Sequence, residues 1–169
     1  MSTSDSDATA AALFVASRAL VAIAARSLAA EDELTLPQFR ALVVLARPDR
    51  ATVNDLATEL DIHASTTTRL CDRLVRKGLI RRVPRLSADR REVTLTLTVG
   101  GRRLVDRVTK RRLRDLAAIT SRMSLANRRN ALAGLRAFSV AAGEVGLVDA
   151  LGWNDQGAVP ATSSARRSR

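Results

Sequence analysis

The chain contains no tyrosine, three phenylalanines, one tryptophan, one cysteine, one histidine and two lysines in 169 residues. Each scarcity excludes something. A lone cysteine rules out an intrachain disulfide, and together with a single histidine it leaves no standard zinc set, so neither metal nor cofactor is expected. With aromatics at 2%, leucine, valine and alanine must build the core. No uninterrupted apolar run reaches the roughly 18–20 residues that span a bilayer, and the opening MSTSDSDATA is polar and acidic rather than basic and then apolar. The expectation is a soluble, unexported, cytoplasmic protein with no membrane partner. Gly100 and Gly101 follow a capping threonine instead of opening a nucleotide loop, and no carboxylate–histidine grouping recurs, so an enzyme is the weakest reading.

What the sequence has in excess is arginine. Apolar residues at 46% and charged residues at 27% suit one globular domain, while 28 basic against 17 acidic side chains give a net charge of +11. The excess is local. Residues 61–114 hold 16 basic and 5 acidic groups, a net +11, against −3 (5 basic, 8 acidic) for 1–60 and +3 (7 basic, 4 acidic) for 115–169. A concentrated basic stripe points first to nucleic acid and second to an anionic membrane surface. Arginine strengthens the first reading, because its planar fork matches phosphate oxygens and guanine edges.

Hydrophobic period and capping residues divide the chain. An alanine-rich helix is expected over 8–30, ended by Glu31-Asp32-Glu33. Thr35, with Pro37 and Gln38 behind it, opens a second helix carrying Phe39, Leu42, Val43 and Ala46 on one face and stopped by Pro48. Thr52 with Asp55 caps a short third helix whose buried side is Val53, Leu56, Ala57 and Leu60, and a fourth runs over 64–77 to Gly78. The period then changes. Residues 79–85 and the alternating Val93, Leu95 and Leu97, set against Glu92, Thr94 and Thr96, form a hairpin with one buried face and a polar turn over 86–90. Thr98 caps a long basic helix to about residue 123, and Ser124 caps a last one to about residue 145 with Leu125, Leu132, Leu135 and Phe138 on its apolar side. Trp153 is read as packing over a helix end and 154–169 as a disordered basic tail.

Two short helices followed at once by a hairpin make a helix-turn-helix with a wing, and the fourth helix tests that idea. At ~100° per residue, Leu70, Leu74, Thr67, Cys71 and Val75 share one face, while Ser65, Thr68, Arg69, Arg73 and Arg76 lie on the other. A major groove admits one α-helix, small hydroxyls near its start let the backbone approach, and arginine reaches guanine or phosphate. Asp72, three residues from Arg69 and four from Arg76, offers a rival surface ion pair to either, and Arg73 can also pair with neighbours. DNA contact is favoured for Arg69 and Arg73 and a solvated face for Arg76. Cys71 is read as an inert core thiol, His63 as a cap or phosphate contact rather than a pH sensor, and Lys110-Arg111-Arg112-Arg114 as a solvated face that steers association at long range.

At these residues the chain resembles the MarR family of winged-helix transcriptional regulators. Residues 65–80 read STTTRLCDRLVRKGLI, and the wing pattern D-x-R-x-x-x-L-x-L-T is met by Asp89, Arg91, Leu95, Leu97 and Thr98, with Gly101 and Leu104 spaced as usual behind it. The resemblance covers about 34–108 closely. It implies a homodimer with interdigitating first and last helices, recognition helices in successive major grooves, and Arg91 in the adjacent minor groove, oriented by Asp89, with Arg90 near the backbone. The chain departs from peroxide-sensing members, lacking their cysteine near the first helix, and its few rings do not support a phenolic ligand.

The expected fold is mostly α with a small β-hairpin wing: a dimerisation helix over 1–34, a winged helix-turn-helix over 35–98, dimerisation helices over 99–153, and the tail. The expected function is a sequence-specific regulator of double-stranded DNA that binds a pseudo-palindromic operator and represses until a small-molecule effector releases it. The alternative is an architectural DNA binder with no ligand input. The residues expected on DNA are Ser65, Thr66, Thr68, Arg69 and Arg73 from the helix, and Arg85, Asp89, Arg90 and Arg91 from the wing.

Overall fold

The computed structural model describes residues 3–31, 34–47, 51–86 and 91–143. Six helices and one hairpin follow in order: α1 (Thr3–Ala29), α2 (Leu36–Leu45), α3 (Val53–Leu60), α4 (Ala64–Arg76), β1 (Ile80–Leu86), β2 (Arg91–Leu97), α5 (Val99–Thr120) and α6 (Leu125–Ala141). The boundaries have local causes. Thr35 and Gln38 close a reciprocal capping box at α2, as Thr52 and Asp55 do at α3. The Thr52 backbone N–H and hydroxyl both donate to the Asp55 carboxylate at 2.8 Å, which holds that carboxyl below its usual range. Asp61 takes the left-handed conformation (φ 53°) that turns the chain from α3 into α4, and Gly78 (φ 66°) turns it from α4 into β1.

Leu42, Leu45, Leu56, Leu74, Ile80, Leu95, Val105 and Val108 meet in one buried cluster, so α2, α3, α4, the base of the hairpin and the first half of α5 share a core. This is a winged helix-turn-helix, mostly helical as expected. Ala51 adds a single bridge to β2, its carbonyl accepting from the Leu95 N–H at 2.8 Å. The hairpin departs from simple alternation: Leu95 is buried and Leu97 half-buried, but Val93 is 48% exposed and Thr94 buried, its hydroxyl donating to the Val83 carbonyl. Val93 stands opposite Pro84, farther out along the wing than the core reaches.

The joint between wing and α5 is tight. The Thr98 N–H donates to the Leu79 carbonyl (3.0 Å), its hydroxyl donates to the Gly78 carbonyl (2.7 Å), and the same oxygen accepts from the Gly101 N–H (3.0 Å). A side chain at Gly101 would collide with the Leu79 carbonyl oxygen, so α5 lies on the end of the α4–β1 turn at a distance only glycine permits.

The outer helices are unlike the core. α1 begins five residues before the periodicity suggests and enters the core only through Ile23, Ser27 and Leu28, while Phe14, Val15 and Val21 stay exposed. Its stretch Ser4–Ala29 is long and apolar enough, by length and composition, to cross a membrane. Counting uninterrupted runs misses this because Ser17, Arg18 and Arg26 break them. α6 buries no residue, and Leu132, Leu135 and Phe138 are each half or more exposed.

Candidate nucleic-acid interface

The fourth helix divides as its sequence demands except at Val75, which its period assigns to the inward face but which is 37% exposed, because it lies at the edge of that arc near the helix end. Thr67, Leu70, Cys71 and Leu74 are buried, whereas Ser65, Thr66, Thr68, Arg69, Arg73 and Arg76 are exposed. Thr67 anchors the inward side, donating to the His63 carbonyl at 3.1 Å. The Thr68 hydroxyl donates to the Ala64 carbonyl at 2.9 Å, so toward solvent it presents lone pairs and a methyl group. His63 holds the N-cap position without a side-chain capping hydrogen bond, which removes the cap reading of that residue.

The rival ion pairs on this face do not form among the described residues. Asp72 turns to the wing and pairs with Arg82 of β1 (2.8 Å), while Arg69, Arg73 and Arg76 have no carboxylate within ion-pair distance there. Arg82 is the residue that sequence reasoning missed: it lies ten positions from Asp72, across a helix–strand corner that no periodicity reports. The pair ties the recognition face to the hairpin. Arg69, Asp72, Arg73, Val75 and Arg76 line a shallow open depression, a basic surface rather than an enclosed cavity.

On the wing, Arg85 stands in register with Glu92 and Leu86 with Arg91. Asp89 and Arg90 lie outside the described residues, as do the side chains of Arg85 and Arg91, Trp153 and the tail over 154–169.

The basic cluster on α5 is not uniformly solvated. Lys110 and Arg114 are exposed, but Arg111 donates to the Ser27 carbonyl at 2.7 Å and sits 3.5 Å from the Glu31 carboxylate, which also pairs with Arg107 at 3.0 Å. Arg112 reaches the Ser27 hydroxyl and lies 5.2 Å over the Phe39 ring, and burial pushes its pKa down. Both arginines reach inward because the end of α1 offers an unpaired carbonyl and a buried hydroxyl beside α5.

Cys71 is fully buried, and desolvation raises its pKa despite the nearby Arg82. The thiolate needed for oxidation or alkylation is therefore scarce and shielded. Treatment of the native protein with hydrogen peroxide or iodoacetamide is expected to leave duplex-binding affinity unchanged in a gel-shift titration. Rapid modification with parallel loss of binding would contradict the placement.

The MarR family model matches residues 34–93. The HTH-type transcriptional regulator TtmR of Methylorubrum extorquens (strain PA1) is 39% identical over 79 residues, 47% of this chain and 40% of that protein. The chain spans about half the length of the curated relatives it matches. Among solved structures, RV1404 from Mycobacterium tuberculosis superposes with a TM-score of 0.74 at 40% identity, covering 81% of this chain and 93% of the other. A MarR family protein from Bacillus stearothermophilus gives 0.74 at 28% identity, with 85% and 99% covered.

Proposed function

The chain belongs to the MarR family, and from that premise we propose that it is a sequence-specific regulator of transcription, acting as a homodimer on a pseudo-palindromic site in double-stranded DNA. The observation that carries this is the division of α4: an inward face fixed in the core, and an outward face of small hydroxyls and arginines free of ion pairs among the described residues. Such a helix enters a major groove with Ser65, Thr66 and Thr68 close to the backbone and Arg69 and Arg73 at base edges. Asp72–Arg82 sets the wing relative to it, and Arg85, Asp89, Arg90 and Arg91 complete the contact, Arg91 in the minor groove.

Residues 1–34 and 99–153 carry the dimerisation helices in this reading. The exposed apolar sides of α1 and α6 support it, since each needs a covering partner that the chain itself does not supply among the described residues. Two recognition helices then meet successive major grooves about 34–36 Å apart. Repression follows from occupying the operator. A small molecule bound between the dimerisation helices and the winged unit relieves it only if its affinity differs between the spacing that fits DNA and one that does not.

Arg69→Ala and Arg73→Ala test the assignment. Each is expected to cost about 1–3 kcal/mol on the selected symmetric site, with a much smaller loss on random duplex, in titrations at fixed salt. Equal losses on both duplexes would make them phosphate contacts. A wild-type protein with no preference for a symmetric site would favour an architectural role.

A further inference from the structure

The helix and wing do not account for all the positive charge. Residues 61–98 hold nine basic and four acidic groups, a net +5, whereas the short stretch 99–114 holds seven and one, a net +6. More than half of the excess lies on the stretch of α5 that follows the wing.

Two of those seven, Arg111 and Arg112, turn toward the end of α1. Four others form a line. Arg103, Arg107, Lys110 and Arg114 recur at i, i+4, i+7 and i+11, fall within about 60° of one another around the axis, and span about 16 Å. All four are exposed, and the line runs along the side of α5 opposite its buried residues Leu104, Val105 and Val108. Of its neighbours, Asp106 is exposed beside the line, and Glu31 pairs with Arg107. Arg103, Lys110 and Arg114 have no ion-pair partner among the described residues.

We infer that this line is a second phosphate-binding surface, which takes the backbone of duplex DNA beyond the segment held by α4 and the hairpin. The inference rests on the DNA-binding reading above and adds a separate surface to it. Length agrees: 16 Å matches about five base-pair steps at 3.4 Å each. A rigid helix with its charges in line suits a rod of phosphates. Between Arg103 and Arg114 this side carries no large apolar group to enter a bilayer, which disfavours a lipid surface. A second copy of the chain does not fit either, because a two-fold axis through the line would set like charges against each other.

The test is the full-length variant R103Q/K110Q/R114Q, with Arg107 left in place because it holds Glu31. Affinity is titrated against salt on two duplexes, one carrying the preferred site alone and one extending it by about ten base pairs on each side. Wild type is expected to show a steeper salt dependence on the longer duplex. The triple variant should lose that increment, the slope of log K against log salt falling by up to ~5.4 at about 0.9 per phosphate for three charges on each protomer of the dimer, and should bind the short duplex as wild type does. The charge-preserving R103K/R114K should keep the slope. An unchanged slope in the triple variant on the long duplex overturns the inference while leaving the recognition helix intact, and failure of wild type to bind either duplex overturns the parent reading instead. Loss of adsorption to phosphatidylserine vesicles with an unchanged DNA slope would also overturn it, assigning the line to a membrane.

Discussion

Removing residues 1–30 is expected to leave an aggregated or unfolded chain, whereas removing only 1–19 should leave a folded monomer. The two truncations divide α1 where its burial changes. Phe14 and Val15, on the outer part, are exposed within one chain, so their removal costs the fold little and the dimer its cover. Ile23, Ser27 and Leu28 are buried, and each large apolar side chain withdrawn from water is worth about 1.5–3 kcal/mol. Losing both is a large part of the roughly 5–15 kcal/mol that holds a domain together. Deletion through residue 30 also removes Ser27 from beneath Arg111 and Arg112, leaving the half-buried Arg112 guanidinium without its hydrogen-bond acceptor and Arg111 with only the Glu31 carboxylate at 3.5 Å. In sedimentation at about 0.3 M salt, the intact chain should run as a dimer and the 20–169 chain as a monomer. Melting temperature should rise with concentration only for the dimer. A dimeric 20–169 chain would place association on α6, α5 and the last turns of α1, and a well-folded 31–169 chain would overturn the role given to Ile23 and Leu28.

Among the described glycines, Gly101 is the one where an added methyl collides with fixed backbone, so Gly101→Ala should be strongly destabilising. Its Cβ would overlap the Leu79 carbonyl oxygen and stand 3.0 Å from the Leu79 carbonyl carbon and 3.3 Å from Leu97 Cδ2. The side chain of Leu97 can turn; the carbonyl cannot, because it accepts the Thr98 N–H while the Leu79 N–H donates to the Leu74 carbonyl at the turn out of α4. Relief requires α5 to lift, which drags Leu104, Val105 and Val108 from the core. Overpacking of this kind costs 1–3 kcal/mol and occasionally more, and contact with fixed backbone places it at about 3 kcal/mol, even after the helix-propensity gain of roughly 1 kcal/mol. The melting midpoint should drop by about 6–12 °C. Gly100→Ala is the control: its Cβ meets the Thr98 hydroxyl at 3.5 Å and the Gly78 carbonyl oxygen at 3.8 Å, both ordinary contacts, so the same propensity gain should stabilise slightly. Equal melting of the two variants would refute the close approach.

Caps and faces are local facts, which is why they were legible. Thr35, Thr52, Thr98 and Ser124 all cap the helices their spacing announced, and the inward set of α4 matched its helical period apart from Val75, which is exposed at the edge of the arc. What escaped is non-local. The Asp72–Arg82 pair, the Ala51 bridge to Leu95, and the grip of Arg111 and Arg112 on Ser27 join segments that no pattern connects. The reversal of Val93 and Thr94 shows the same limit. Alternation assigns residues to two faces, but which face is covered depends on how far the core extends beneath the strand.

The burial of Cys71 supplies the native chain with a gauge of its own motion. As the sole thiol, wholly covered and seated on the inward side of α4, it meets a labelling reagent only when that helix opens. Its labelling rate, divided by that of a free thiol, gives the population of the open form, and so the local free energy of the recognition element, without any engineered probe. Whatever steadies α4 slows that rate in proportion. A bound duplex and a bound effector can thus be placed on one energy scale at a single sulfur atom.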